Sequence, residues 1–298
     1  MDQMEEATNN PIVLCSKISH CGRLLYLGMD KGFLVASLPK GDILKTRNFS
    51  GGVGQIAGLG RSNIFALAGG GRFPFESRTK VIIWDEEIGK RVSTISFHES
   101  LKVSEINGLD ITKDYLIVAV ENFLMLYKVS NSFQPFQKLN TIPNPRGVFS
   151  ISVKDNETLL AYPYLRAEKD KETGNLAILN ISKPDQITHI HAHSDQIWQI
   201  EFSRTGKYIA TCSRVGSIIR IWETETGQMA TEIRRGYEKT NLHALRFDDK
   251  DHWLICCNDG RAINIYDLNK KLKTDESGNE YSPLDENWLR RFIKWVTE

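Results

Sequence analysis

Little in this 298-residue chain points away from an ordinary globular core. Its 38 Lys and Arg against 37 Asp and Glu leave a formal net charge of +1. No global field therefore draws it to nucleic acid or to a membrane, and any anion site has to come from a local cluster. Cysteine is sparse: Cys15, Cys21, Cys212, Cys256 and Cys257 are odd in number and form no Cys-x-x-Cys pair. That excludes a disulfide framework and a thiolate zinc site, and it suits core thiols in a reducing compartment. A cytoplasmic setting without a metal is expected. No apolar run approaches the roughly 18 to 20 residues that span a bilayer. The polar, acidic stretch Met1 to Asn10 has neither a basic n-region nor an apolar h-region, so no secretory leader is expected there. Gly51-Gly52-Val53-Gly54 lacks the Gly-Lys-Ser/Thr that completes a phosphate loop, and no helix pattern follows it. No Ser-His-Asp or Cys-His spacing is legible, and Asp85, Asp110 and Asp114 read as the aspartates of strand-end turns. No catalytic residue, cofactor or enzymatic activity is expected.

What is present is a recurring strand pattern. β-branched or aromatic runs, often closed by Asp, stand at Phe33–Leu38, Val81–Asp85, Leu124–Val129, Leu176–Ile181, Ile218–Glu223 and Ala262–Leu268. They lie roughly 42 to 52 residues apart, near the propeller-blade period of about 40 to 45. Each is preceded by a second apolar run, such as Tyr208–Cys212 or Trp253–Cys257. A unit of four short strands cannot bury both of its faces alone, so such units stack radially. An all-β propeller of four-stranded blades is expected. Six blades are recognisable, the sixth without an obvious outer strand. Blade five is the clearest, with strands at Ile197–Phe202, Tyr208–Cys212, Ile218–Trp222 and near Met229–Ile233. The reading divides the chain into a flexible stretch 1–10, a propeller 11–268, and a linker with a helix over 269–298. The charged stretch Arg166–Gly174 reads as a solvated loop.

One cluster carries chemistry. Ile233-Arg234-Arg235-Gly236 follows the last strand of blade five. Neighbouring side chains on an extended segment point to opposite faces, so the two arginines can serve two separate pockets. Their planar guanidinium forks match phosphate with paired, charge-assisted hydrogen bonds. Gly236 reads as the residue that lets the backbone turn sharply into the next blade.

This motif resembles the Phe/Leu-Arg-Arg-Gly hallmark of the PROPPIN family, the phosphoinositide-binding, WD-repeat-like propellers of autophagy, with Ile233 as a mild departure. The likeness extends to Arg61–Leu67 leading into Gly69-Gly70-Gly71, to Val81–Asp85, to Ala192-His193 and to Ser213–Arg220. The resemblance implies two phosphoinositide sites at the propeller rim. The first would comprise His193, Thr211, Ser213, Gly216, Ser217, Arg220 and Arg234. The second would pair Arg235 and Gly236 with blade six. There Asn258, Ala262 and Asn264 stand where the family carries Ser, Thr and His, which weakens the site, with Arg261 as partial compensation. His193 has a competing reading, as one member of a buried hydrogen-bond set with a hydroxyl and Trp222.

The resemblance also implies a peripheral membrane effector of phosphatidylinositol 3-phosphate, and of the 3,5-bisphosphate. It would act in the cytoplasm on preautophagosomal, endosomal or vacuolar-type membranes. There it would recruit autophagy proteins such as a lipid-transfer protein along blades two and three. The family continues past blade six through a long loop and a seventh blade, whereas about thirty residues remain here. A six-bladed or open propeller and a truncated chain both fit that length. Those residues hold a Ser282-Pro283 helix start. Beyond it Trp288, Phe292 and Trp295 fall on one side beside Arg290, Arg291 and Lys294, the pattern of a short membrane-contacting or edge-packing helix. The alternative from another class is a lipid-independent protein scaffold.

Overall fold

A computed structural model describes residues 11–154, 157–165, 167, 173–259 and 262–269, together with the backbone of 273–274 and 280–281. The expected loop Arg166–Gly174 lies mostly outside these residues. Arg261 and the expected helix with Trp288, Phe292 and Trp295 lie wholly outside them.

The chain divides into two compact units, Met1–Gly147 and Val148–Glu298. The first holds three four-stranded repeats. These are β1–β4 (Val13–Ile18, Leu24–Met29, Gly32–Ser37, Ile43–Asn48), β5–β8 (Gly52–Gly58, Ile64–Gly70, Lys80–Asp85, Lys90–Ser96) and β9–β12 (Gly108–Ile111, Tyr115–Ala119, Phe123–Lys128, Gln134–Asn140). Consecutive strands pair antiparallel within each repeat, and one parallel bridge, Gly32 to Gly52, links the first two. The second unit holds β13–β16 (Ser150–Lys154, Glu157–Pro163, Gly174–Asn180, Ile187–His193) and β17–β20 (Ile197–Phe202, Tyr208–Ser213, Ile218–Glu223, Met229–Arg234). It continues with the three-stranded β21–β23 (Leu242–Phe247, Trp253–Asn258, Ile263–Asp267) and a two-residue pair, β24 (Lys273–Thr274) and β25 (Glu280–Tyr281). Among the described residues the one helical element is a 3₁₀ turn at Glu99–Leu101. Each repeat is one blade, and the sixth has no fourth strand among the described residues.

Burial explains the strand composition. The second and third strands of a blade are covered on both faces. β6 and β15 are accordingly almost continuously apolar and buried. The outermost strands alternate, with mostly polar residues exposed and a single apolar side chain turned inward, Ile95 in β8 and Leu139 in β12. Each such buried side chain contributes about 1.5 to 3 kcal/mol.

Asp110 departs from its expected role. Asp85 does serve a turn, accepting the backbone N–H of Glu87 at 2.9 Å. Asp110 instead lies inside β9 and is buried. Its carboxylate meets Lys17 Nζ at 2.8 Å and His20 Nε2 at 2.9 Å, both from the first blade, and Lys17 also donates to the Leu109 carbonyl at 2.5 Å. Burial opposes ionisation of Asp110, but His20 and Lys17 outweigh it and hold the carboxyl well below its usual range. The charge of Asp110 in turn raises the pKa of His20 against the cost of its own burial.

The two shifts have opposite consequences. A depressed Asp110 stabilises the fold above its unfolded pKa of about 3.9, and that contribution is lost as pH falls. A raised His20 stabilises it below about pH 6.5, and that contribution is lost as pH rises through the folded value. In urea denaturation the stability advantage of wild type over His20→Gln is therefore expected to decline from pH 6 to pH 8. Asp110→Asn is expected to cost about 3 to 5 kcal/mol at pH 6 and to flatten that decline.

Candidate functional site

Blade five positions the site through the way its strands bury both faces. Ile209 and Trp222 belong to an apolar cluster shared with blade four, which includes Leu176, Ile190 and Ala192. Ala210, Cys212, Ile219, Ile221 and Ile233 belong to a second cluster, shared with Leu242, Leu245 and Leu254 of blade six. Ile233 is therefore a core anchor, a role that Ile, Leu and Phe all fill. With Ile233 turned to blade six, Glu232 and Arg234 fall on the opposite face by the period of two.

The face toward blade four holds most of the first candidate set. Thr211 and Arg220 are cross-strand neighbours on β18 and β19, and Arg220 pairs next with Glu232 on β20. The Thr211 hydroxyl accepts the Trp222 indole N–H at 2.9 Å and lies 2.9 Å from Nε2 of the buried His193. Burial, with the charge of Arg220 adding to it, pushes the His193 pKa down to about 4, so the ring is neutral at pH 7. Thr211 is fully enclosed. The structure thus places His193 and Thr211 in the buried set with Trp222, beneath the surface rather than on it.

Arg220 is half-buried, its Nε donating to Glu232 Oε2 at 2.7 Å and its Nη1 to the Ala192 carbonyl at 2.6 Å. Ser213, Gly216 and Ser217 lie together at and beyond the end of β18, in the turn to β19. Arg234 is exposed at the end of β20. Its guanidinium stacks over the Tyr237 ring at 5.2 Å, and it has no ion pair among the described residues. A guanidinium without an ion pair among the described residues, beside the hydroxyls of Ser213 and Ser217, is suited to a phosphate.

The second candidate set is differently disposed. Arg235 turns its Nε to the Gly216 carbonyl at 2.6 Å and its Nη2 to the Glu238 carbonyl at 2.6 Å. Its charge acts on Cys256 and Tyr266, which places it toward blade six, opposite Arg234. Asn258 closes the turn between β22 and β23, its Oδ1 accepting the Ala262 N–H at 3.3 Å. Asn264 donates weakly to the Cys256 sulfur at 3.8 Å. None of these donors is presented as openly as Arg234.

Gly236 does not have the role expected for it. It is not among the glycines with positive φ, and a Cβ there would meet nothing within 4 Å. The glycine that the backbone requires is Gly216, with φ +69° and a would-be Cβ 1.9 Å from the Thr240 carbonyl oxygen. Sequence reading also passed over Glu232 and Tyr237. The period of two puts Glu232 on the face of Arg234, but that it stands across from Arg220 is set by the pairing register. Tyr237 carried no such signal. In thermal unfolding, Gly216→Ala is expected to destabilise the protein by about 1 to 3 kcal/mol. Gly236→Ala is expected to stay within about 1 kcal/mol of wild type.

Comparison with known proteins extends this picture. The PROPPIN family model matches residues 78–285, more than two thirds of the chain. The "SVP1-like protein 2" of Schizosaccharomyces pombe is 28% identical over 286 residues, covering 91% of this chain and 75% of that protein. The chain spans 55–67% of the length of further proteins with that name. Among solved structures, Kluyveromyces lactis Hsv2 superposes with a TM-score of 0.73 at 16% identity, over 88% of this chain and 76% of that one. KlAtg21, solved in complex with the coiled-coil of AgAtg16, gives 0.69 at 18% identity, over 87% and 81%. These structural likenesses show the fold, a β-propeller. Together with the family match over its larger part, the repeats and the Arg-Arg-Gly segment identify the chain as a member of the PROPPIN family.

Proposed function

We propose that this autophagy-related β-propeller is a peripheral membrane effector that binds phosphatidylinositol 3-phosphate, and also the 3,5-bisphosphate, at the end of blade five. The observation that carries the reading is Arg234, an exposed guanidinium without an ion pair among the described residues. It stands beside the Ser213–Ser217 turn and within the motif that marks the family. The Ser217 hydroxyl would meet the phosphate oxygens. Arg220 would add charge from below, and the His193–Thr211–Trp222 set would hold the floor of the site rigid. Arg235, with Asn258 and Asn264, forms a weaker second site, because two of its donors are engaged by backbone carbonyls and Asn258 and Asn264 stand where the family carries a hydroxyl and an imidazole. The reaction class is binding, without catalysis. No helix among the described residues is long and apolar enough to cross a membrane, and we place the protein in the cytoplasm, on preautophagosomal, endosomal or vacuolar-type membranes.

A second reading, a protein scaffold, draws on the solved complex of KlAtg21 with the coiled-coil of AgAtg16. Recruitment of autophagy proteins of this kind, a lipid-transfer protein among them, is compatible with lipid binding on a separate surface. Liposome co-sedimentation separates the readings. Wild type is expected to bind phosphatidylinositol 3-phosphate vesicles, more weakly as salt rises. Arg234→Ala/Arg235→Ala is expected to lose at least about tenfold in affinity, the scale of one or two charge-assisted hydrogen bonds. A folded wild type that ignores these vesicles overturns the lipid reading in favour of the scaffold, and a double variant that binds them equally well overturns the placement of the site at the end of blade five.

A further inference from the structure

The cations around the first site are not equivalent, and the acid that makes the difference is Glu232. Arg220 and Glu232 are direct cross-strand partners, 28% and 39% exposed at their side chains, with Nε to Oε2 at 2.7 Å. A second donor of Arg220 is committed to the Ala192 carbonyl at 2.6 Å. Two of its five N–H donors are therefore engaged, and its charge is balanced by a carboxylate of the same blade. Arg234 lies two residues beyond Glu232 on β20, on the same face and about 7 Å further along the strand. A phosphate gripped by Arg234 and reaching for the free edge of Arg220 comes close to the Glu232 carboxylate.

We propose that Glu232 is a built-in competitor for the phosphate. It occupies Arg220 in the empty site and, through like-charge repulsion, sets how tightly a phosphorylated inositol headgroup is held. This rests on the lipid reading above and assigns a role to a residue outside its ligand set. Two observations favour competition over a purely structural brace. Arg220 keeps its bond to the Ala192 carbonyl and needs no second anchor to stay oriented. Glu232 also stands on the face of β20 that carries Arg234, and not on the face that Ile233 buries against blade six. Amide oxygen in place of carboxylate preserves an acceptor for Arg220 Nε while removing the negative charge.

The test measures binding to phosphatidylcholine vesicles with and without phosphatidylinositol 3-phosphate, and to soluble inositol 1,3-bisphosphate. Glu232→Gln is expected to bind both phosphorylated ligands about three- to tenfold more tightly than wild type, the scale of one like-charge contact a few ångströms away in partly screened surroundings. Glu232→Asp, which keeps the charge, is expected not to gain. In an Arg220→Gln background the part of the gain that comes from freeing Arg220 is expected to be lost, while the part that comes from repulsion remains, so Glu232→Gln gains less there than in wild type. Glu232→Thr removes the same charge with a strand-forming side chain and serves the test if the glutamine variant does not fold. Unchanged or weaker binding by a folded, charge-free variant overturns the proposal while leaving the lipid reading intact, and assigns Glu232 to bracing Arg220. Binding to vesicles but not to the soluble headgroup, with no gain in either variant, overturns it as well. A wild type that binds neither ligand removes the lipid reading and this inference together.

Discussion

Blade five has to bury both of its faces, and the rest of the site depends on that constraint. Side chains alternate along β20, so committing Ile233 to the cluster with Leu242, Leu245 and Leu254 leaves no freedom for its neighbours. Glu232 and Arg234 must face one way and Arg235 the other. The hydrophobic anchor thereby fixes the direction of three charges. A shift of β20 by one residue would expose Ile233 and turn a guanidinium into an apolar cluster. Unpaired charge is costly there, so the arrangement is fixed by energy as well as by geometry.

Beneath the charged surface lies a neutral polar layer. His193, Thr211 and Trp222 satisfy one another at 2.9 Å in surroundings where an unpaired polar group would be costly. Burial keeps the imidazole uncharged at pH 7, so no third cation sits under Arg220. The same chemistry has a counterpart in the first unit, where Asp110 is enclosed with Lys17 and His20 and all three groups share charge. In one case burial removes a charge; in the other a partner retains it. The difference is the presence of an opposite charge within hydrogen-bonding distance.

Much of this was legible in the sequence. The spacing of apolar runs gave the blades, and the sixth, where the sequence shows no apolar run for an outer strand, has no fourth strand among the described residues. The Arg-Arg pair followed from alternation alone, and the family from the residues around it. What escaped were contacts between residues distant in the chain. Asp110 reads as a turn residue because nothing local distinguishes it, and its partners are about ninety positions away. Gly236 reads as a conformational hinge because glycine often is one, yet it is Gly216 whose positive φ only glycine takes without strain. Arg220 reads as a phosphate ligand, and the sequence does not show which acid stands across the strand pair. Pairing register decides that, and register is a property of the folded sheet.

The central claim, that a phosphorylated inositol headgroup lodges at the end of blade five, is tested most directly by titrating soluble inositol 1,3-bisphosphate into isotope-labelled protein and following backbone amide resonances. The account predicts saturable shifts concentrated at Ser213–Ser217 and Arg234–Gly236, with the amides of β14 and β15 in blade four unmoved. Shifts centred elsewhere in the chain, or none at saturating headgroup, would contradict it.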